Sequence, residues 1–169
     1  MICSPTTVVP ESVLCQVAPE ALPTALEAVS RPRRKVLIAD DSLVWVTALS
    51  MKLRNHGYDV VVCQQGARIV SAARSEKPDL ILLDINFPPD VANGGEAPWD
   101  GLTVLEWLRG LDETRNTPVI IVTAEEPARC REKSFAAGAD GFFEKPVRPG
   151  TLLTAIRLAL EEEPTEADE

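Results

Sequence analysis

The chain has 169 residues, 45% of them apolar and 25% charged, which suits one globular domain with a substantial core. Its formal net charge of -9 repels nucleic acid and anionic membrane surfaces and argues against direct binding to either. The four cysteines, Cys3, Cys15, Cys63 and Cys130, form no C-x-x-C pair. Neither a disulfide framework nor a zinc site is expected, and reduced thiols in a cytoplasmic protein are the plainer reading.

No apolar run approaches the ~20 residues of a membrane span. The N-terminus has no basic start and is interrupted by prolines, so it makes a poor secretory signal. Residues 1–34 carry Pro5, Pro10, Pro19, Pro23 and Pro32 and read as an irregular extension, with room for a short helix over 21–29. The cluster Arg31, Arg33, Arg34 and Lys35 reads as a solvated or docking segment. Residues 35–162 form the domain proper. Residues 163–169 belong to an acidic tail of the kind that stays solvated and disordered.

Within the domain, short apolar runs alternate with segments of helical period. Runs at 35–39 (KVLIA), 60–63 (VVVC), 80–83 (LILL) and 119–122 (VIIV) have the composition of strands buried on both faces, and 141–143 (GFF) follows as a fifth. Helices are predicted over 43–55, closed by Gly57, then over 67–75, 102–111 and 128–137, the last ending at Gly138. A final amphipathic helix is marked by Leu152 and Ile156. Five strand-then-helix units in series predict an α/β fold with a parallel sheet and right-handed crossovers.

Ligands bind such sheets beyond the C-terminal strand ends. The residues that terminate the runs are therefore informative. The first run ends in Asp40-Asp41, the third in Asp84, the fourth in Thr123 and the fifth in Glu144-Lys145-Pro146. Three carboxylates on one edge repel one another, and a hard divalent cation such as Mg²⁺ relieves the repulsion. One carboxylate can then attack a phosphoryl group and become an aspartyl phosphate. Mg²⁺ and the Lys145 ammonium would neutralise charge on the phosphoryl oxygens, and Thr123 would donate to one of them. Taken alone, Asp40, Asp41 and Ser42 would be read as caps of the following helix, and Lys145 as surface charge.

The segments KVLIADDS, KPDLILLDIN, PVIIVTA and AAGADGFFEKP, in this order, resemble the receiver domain of bacterial response regulators. The resemblance covers about residues 35–161. It implies a doubly wound five-stranded sheet of flavodoxin-like order 2-1-3-4-5 with helices on both faces. It implies Asp84 as phosphoacceptor, and Asp40 and Asp41 as the acidic pair that holds Mg²⁺ with Asp84 and the backbone carbonyl of Asn86. Thr123 would be the switch hydroxyl, the N–H of Ala124 a phosphoryl donor, and Lys145 the phosphate-binding lysine, before a proline bond that the family suggests is cis. Phe142 takes the place of the aromatic that changes rotamer on activation. Asn86 and Glu125 occupy positions that tune dephosphorylation. A histidine kinase or phosphotransfer protein would be the phosphoryl donor, a further protein the downstream partner, and homodimer formation is left open. Such a domain is not a conventional enzyme, since it assists only its own phosphorylation and dephosphorylation.

Two departures stand out. An insert over 88–99 separates Asp84 from Asp100-Gly101 by more residues than the family has; it is read as a loop beside the site, either a shield or partner surface or a neutral insertion. No effector domain follows the last predicted helix, so output is expected through protein contacts or the added ends. Two other functions compete with this reading. A haloacid-dehalogenase-type phosphohydrolase also uses a strand-end Asp, but looks for D-x-D-x-T, and Asn86 stands where its second Asp would be. A receiver-like scaffold that binds without phosphate would need an unreactive Asp84. His56 reads as a helix-end residue. Trp45, Trp99 and Trp107 read as packing residues, with Trp45, a helical turn after the acidic pair, a candidate sensor of metal or phosphate.

Overall fold

Strands whose side chains alternate between two apolar faces need a layer of helices on each side. The computed structural model describes residues 33–89 and 99–161 and shows this arrangement. The elements in chain order are β1 (Lys35–Ala39), α1 (Leu43–Asn55), β2 (Asp59–Cys63), a 3₁₀ turn (Gly66–Arg68), α2 (Ile69–Glu76) and β3 (Leu80–Leu83). There follow β4 (Asn86–Phe87), β5 (Trp99–Asp100), α3 (Gly101–Gly110), β6 (Val119–Thr123), α4 (Pro127–Ala136), β7 (Gly141–Glu144) and α5 (Pro149–Ala159). Five strands form a parallel sheet in the order β2-β1-β3-β6-β7, the order that the resemblance implies.

The alternation sorts the core into two layers. Leu37, Ala39, Ile81, Leu83, Val119 and Ile121 pack with buried residues of α2, α3 and α4. Val36, Ile38, Leu80, Leu82, Ile120 and Val122 pack with Val46, Leu49 and Leu53 of α1 and with Leu152, Leu153 and Ile156 of α5. Each fully buried Leu or Ile contributes roughly 1.5–3 kcal/mol, so the central strands β1, β3 and β6 anchor the fold. No described helix is long and apolar enough to cross a membrane.

The structure corrects several details. β2 is not buried on both faces: it is an edge strand, and Val62 is 39% exposed. The predicted helix over 67–75 opens with the 3₁₀ turn, and α2 proper begins at Ile69. Trp107 is not a core packing residue but is 49% exposed on α3. Arg34 and Lys35 are tied to the domain rather than merely solvated. Arg34 pairs with Asp79 at 2.8 Å and its carbonyl accepts from the Asp59 N–H, while Lys35 pairs with Glu76 at 3.3 Å. The insert is closed at its base: its flanking residues Asn86 and Phe87 pair antiparallel with Asp100 and Trp99, a two-residue ribbon that takes in only Trp99 of 88–99. The expectations for residues 1–32, for the insert's interior and for the acidic tail lie outside the described residues.

Candidate functional site

Register brings the strand ends together. Ala39 lies opposite Leu83, Leu83 opposite Ile121, and Thr123 opposite Glu144. Asp40 and Asp84, one step beyond β1 and β3, therefore emerge side by side, with Thr123 and Lys145 on the next strands. The backbone continues the ladder past the strands, since the Asp84 N–H donates to the Ala39 carbonyl at 2.9 Å and the Lys145 N–H to the Thr123 carbonyl at 2.7 Å. The Lys145–Pro146 peptide bond is cis, as the resemblance suggests.

Asp40 is 2% exposed and Asp84 7%, whereas Asp41 is exposed. Lys145 Nζ donates to Asp40 Oδ2 at 2.5 Å and to Asp84 Oδ2 at 2.6 Å. The other oxygen of Asp84 accepts from the N–H groups of Ile85, at 2.6 Å, and Asn86, at 3.3 Å. Asp40 Oδ1 accepts from the Ser42 N–H at 2.9 Å. The Ser42 side chain makes no capping hydrogen bond to α1. The acidic pair thus faces the site, and the helix-cap reading does not account for it.

Burial pushes the Asp40 carboxyl above the ordinary carboxylate range; the hydrogen bonds from Lys145 and the Ser42 N–H oppose this, and the charge of Asp84 adds to it. Burial by itself would lower the pKa of Lys145, but the hydrogen bonds to Asp40 and Asp84 outweigh it and hold the ammonium above its usual value. The causes differ: burial dominates at Asp40, whereas at Lys145 the two carboxylates outweigh burial.

One oxygen from each of Asp40, Asp41 and Asp84 lies within 4.8 Å of the others. An oxygen-only set of three carboxylates, one of them solvent-facing, fits a hard divalent ion that keeps several waters, as Mg²⁺ does. Thr123 is fully buried, and its Oγ1 accepts from the Glu125 N–H at 3.2 Å. Asn86 Nδ2 donates to Glu125 Oε1 at 2.6 Å, so these two side chains meet at the rim. Phe142 is buried in the α2–α3–α4 layer, with the Arg131 guanidinium 5.8 Å from its ring centroid. His56 caps the end of α1, its Nδ1 2.8 Å from the Lys52 carbonyl.

The family described as response regulator receiver domain matches residues 36–157. The chain belongs to that family. The DNA-binding response regulator MtrA of Mycolicibacterium smegmatis is 28% identical over 137 residues, which cover 79% of this chain and 55% of that protein. The alkaline phosphatase synthesis transcriptional regulatory protein PhoP of Bacillus subtilis is 30% identical over 127 residues, 75% of this chain and 48% of that one. The chain spans about half the length of the curated relatives it matches. The crystal structure of a CheY-like response regulator receiver domain protein from Methanospirillum hungatei superposes with a TM-score of 0.67 at 27% identity, covering 76% of this chain and 94% of that one. As a receiver domain the chain is a signalling module.

Three structural roles are not evident in the sequence, two beside the site and one at the opposite end of the strands. Gly101 in the sequence only marks the end of the insert, yet a Cβ there would lie 2.3 Å from the Asp84 carbonyl oxygen and 2.7 Å from Ile85 Cα. Its N–H donates to the Ile85 carbonyl at 2.7 Å. The start of α3 is therefore pressed against the backbone that carries Asp84, and the Asp-Gly pair opening a helix was the available signal. Asp100 caps that helix through the Leu102 N–H. Arg109 fastens the segments that lead into β6 and β7, donating to the Gly138, Arg115 and Thr117 carbonyls and to Asp140. No local pattern singled it out.

Proposed function

We propose that this receiver domain accepts a phosphoryl group on Asp84 from a histidine kinase or phosphotransfer protein, and that the acyl phosphate changes a protein-binding face. The observation that carries the reading is the setting of Asp84. It is a buried carboxylate at the end of a central strand, oriented through both oxygens, beside two further carboxylates and a lysine. An Asp84 oxygen attacks phosphorus, the donor's phosphorus–nitrogen bond breaks, and the nitrogen leaves on the imidazole.

Asp40, Asp41, Asp84 and the Asn86 carbonyl would hold Mg²⁺, which when bound supplies positive charge to the phosphoryl oxygens. Lys145 then turns from Asp40 toward a phosphoryl oxygen, and the Thr123 hydroxyl and the Ala124 N–H donate to the others. Movement of Thr123 frees space for Phe142. That ring lines an open groove of about 740 Å³ between α4, β7 and α5, together with Arg131, Phe135 and Leu158. Phe135 is 44% exposed and Leu158 73%, which suits a protein partner. The net charge of -9 also favours a protein partner over nucleic acid.

The test is chemical trapping. After incubation with acetyl phosphate and Mg²⁺, borohydride reduction should convert residue 84, and no other, to homoserine in a peptide map. EDTA added beforehand should prevent it. Reduction at another acidic residue, or at none, would overturn the assignment.

A further inference from the structure

Lys145 has a contact that the shared chemistry of the site does not require. Its ammonium carries three N–H donors. Two are directed at Asp40 and Asp84. The Trp45 ring also lies against this group, with Nζ 5.6 Å from the ring centroid, inside the range of a cation–π interaction. Trp45 sits in the first turn of α1 and packs against the apolar layer formed by β1, β3, α1 and α5. The core therefore fixes the position of the ring.

The ammonium by contrast ends a flexible four-carbon stem with considerable rotamer freedom. Only 15% of the Lys145 side chain is exposed. An aromatic wall that is itself anchored gives this mobile cation a defined seat next to the acceptor carboxylate. The oxygens it occupies there, Oδ2 of Asp40 and of Asp84, belong to the same carboxylates that a divalent cation would use.

We propose that Trp45 is a positioning residue for Lys145: its ring holds the ammonium at Asp40 and Asp84 in the metal-free domain and so sets how readily a divalent cation displaces it. The inference rests on the reading of this site as a metal-assisted phosphoacceptor. Its test, however, uses binding and spectroscopy and does not depend on phosphoryl transfer. Trp45→Leu keeps apolar bulk and removes the π face, whereas Trp45→Phe keeps a weaker one.

Two readouts follow. In the NMR spectrum of the wild type, the Lys145 side-chain methylene protons nearest the ammonium should carry a ring-current shift, smaller in Trp45→Phe and absent in Trp45→Leu. In a Mg²⁺ titration followed by amide shifts, Trp45→Leu should bind the ion about two- to thirtyfold more tightly than wild type, the range from an exposed to a desolvated cation–π contact. Trp45→Phe should fall between them. In a Lys145→Met background, Trp45→Leu should leave Mg²⁺ affinity unchanged. The proposal is overturned if the Lys145 methylene shifts are the same in Trp45→Leu and wild type. It is equally overturned if the change in Mg²⁺ affinity persists without Lys145, because the ring would then act through the fold and not through the ammonium. If Asp84 never takes a phosphoryl group but both readouts behave as stated, the positioning role stands and the phosphoacceptor reading alone fails.

Discussion

Gly101→Ala should destabilise the domain even though alanine is the better helix former. The added Cβ would stand 2.3 Å from the Asp84 carbonyl oxygen, 2.7 Å from Ile85 Cα and 3.0 Å from the Ile85 carbonyl oxygen. All three atoms belong to the backbone, so no side chain can swing away. Relief requires α3 and the segment after β3 to part by roughly 1 Å, the scale of an overpacked core, which costs about 3 kcal/mol at the upper end of the usual range. Separation also stretches the 2.7 Å hydrogen bond from the Gly101 N–H to the Ile85 carbonyl. The alanine returns at most about 1 kcal/mol of helix propensity. The net loss is about 2 kcal/mol, or roughly 6–8 °C in the unfolding midpoint for a domain of this size. Urea unfolding followed by far-UV circular dichroism, with unchanged slope, measures it directly. A variant as stable as wild type, or stabler by the ~0.4–1 kcal/mol that Gly→Ala gives at permissive sites, would refute the close-packing argument.

Lys145→Met should leave two buried carboxylates without their shared cation and destabilise the metal-free domain by about 3 kcal/mol. Added Mg²⁺ should then raise its thermal midpoint more than that of wild type, and equal shifts in the two proteins would show that Lys145 and the metal do not share these oxygens. Glu125→Ala removes the 2.6 Å hydrogen bond with Asn86 at the rim. It should shorten the lifetime of the acyl phosphate about threefold while changing stability by less than ~1 kcal/mol; an unchanged decay rate of the trapped phosphate would contradict this. Burial pushes the thiols of Cys63 and Cys130 above their ordinary pKa, aided at Cys130 by the charge of Glu125. Because the thiolate is the reactive form, both should resist iodoacetamide at pH 8 in the folded protein and react once urea unfolds it, as peptide mapping would reveal.

The sheet was legible because its central strands are continuous Val, Ile and Leu runs with no helical alternative of that length. β1, α1 and β3 occupy the residues that the pattern predicted. The site was legible because strand ends are fixed by where those runs stop, and Asp40, Asp84, Thr123 and Lys145 stand at the stops. What escaped the sequence depends on side chains far apart in the chain. The contact of Lys145 with Trp45 and the bond between Asn86 and Glu125 leave no local periodicity to read. β4 and β5 are two residues each, too short for an alternation to register. The exposure of Val62 follows from the edge position of β2, and composition cannot distinguish an apolar edge strand from a central one. Gly101 escaped because its role is the absence of a side chain, which acquires meaning only once the Asp84 carbonyl is placed above it.

Phosphoryl acceptance by Asp84 is tested most simply by the intact mass of wild type and Asp84→Asn after incubation with acetyl phosphate and Mg²⁺. The wild type should gain one phosphoryl group, lost when EDTA is present from the start, and Asp84→Asn should gain none. An adduct on Asp84→Asn, or a wild type that stays unmodified with Mg²⁺ bound, would contradict it.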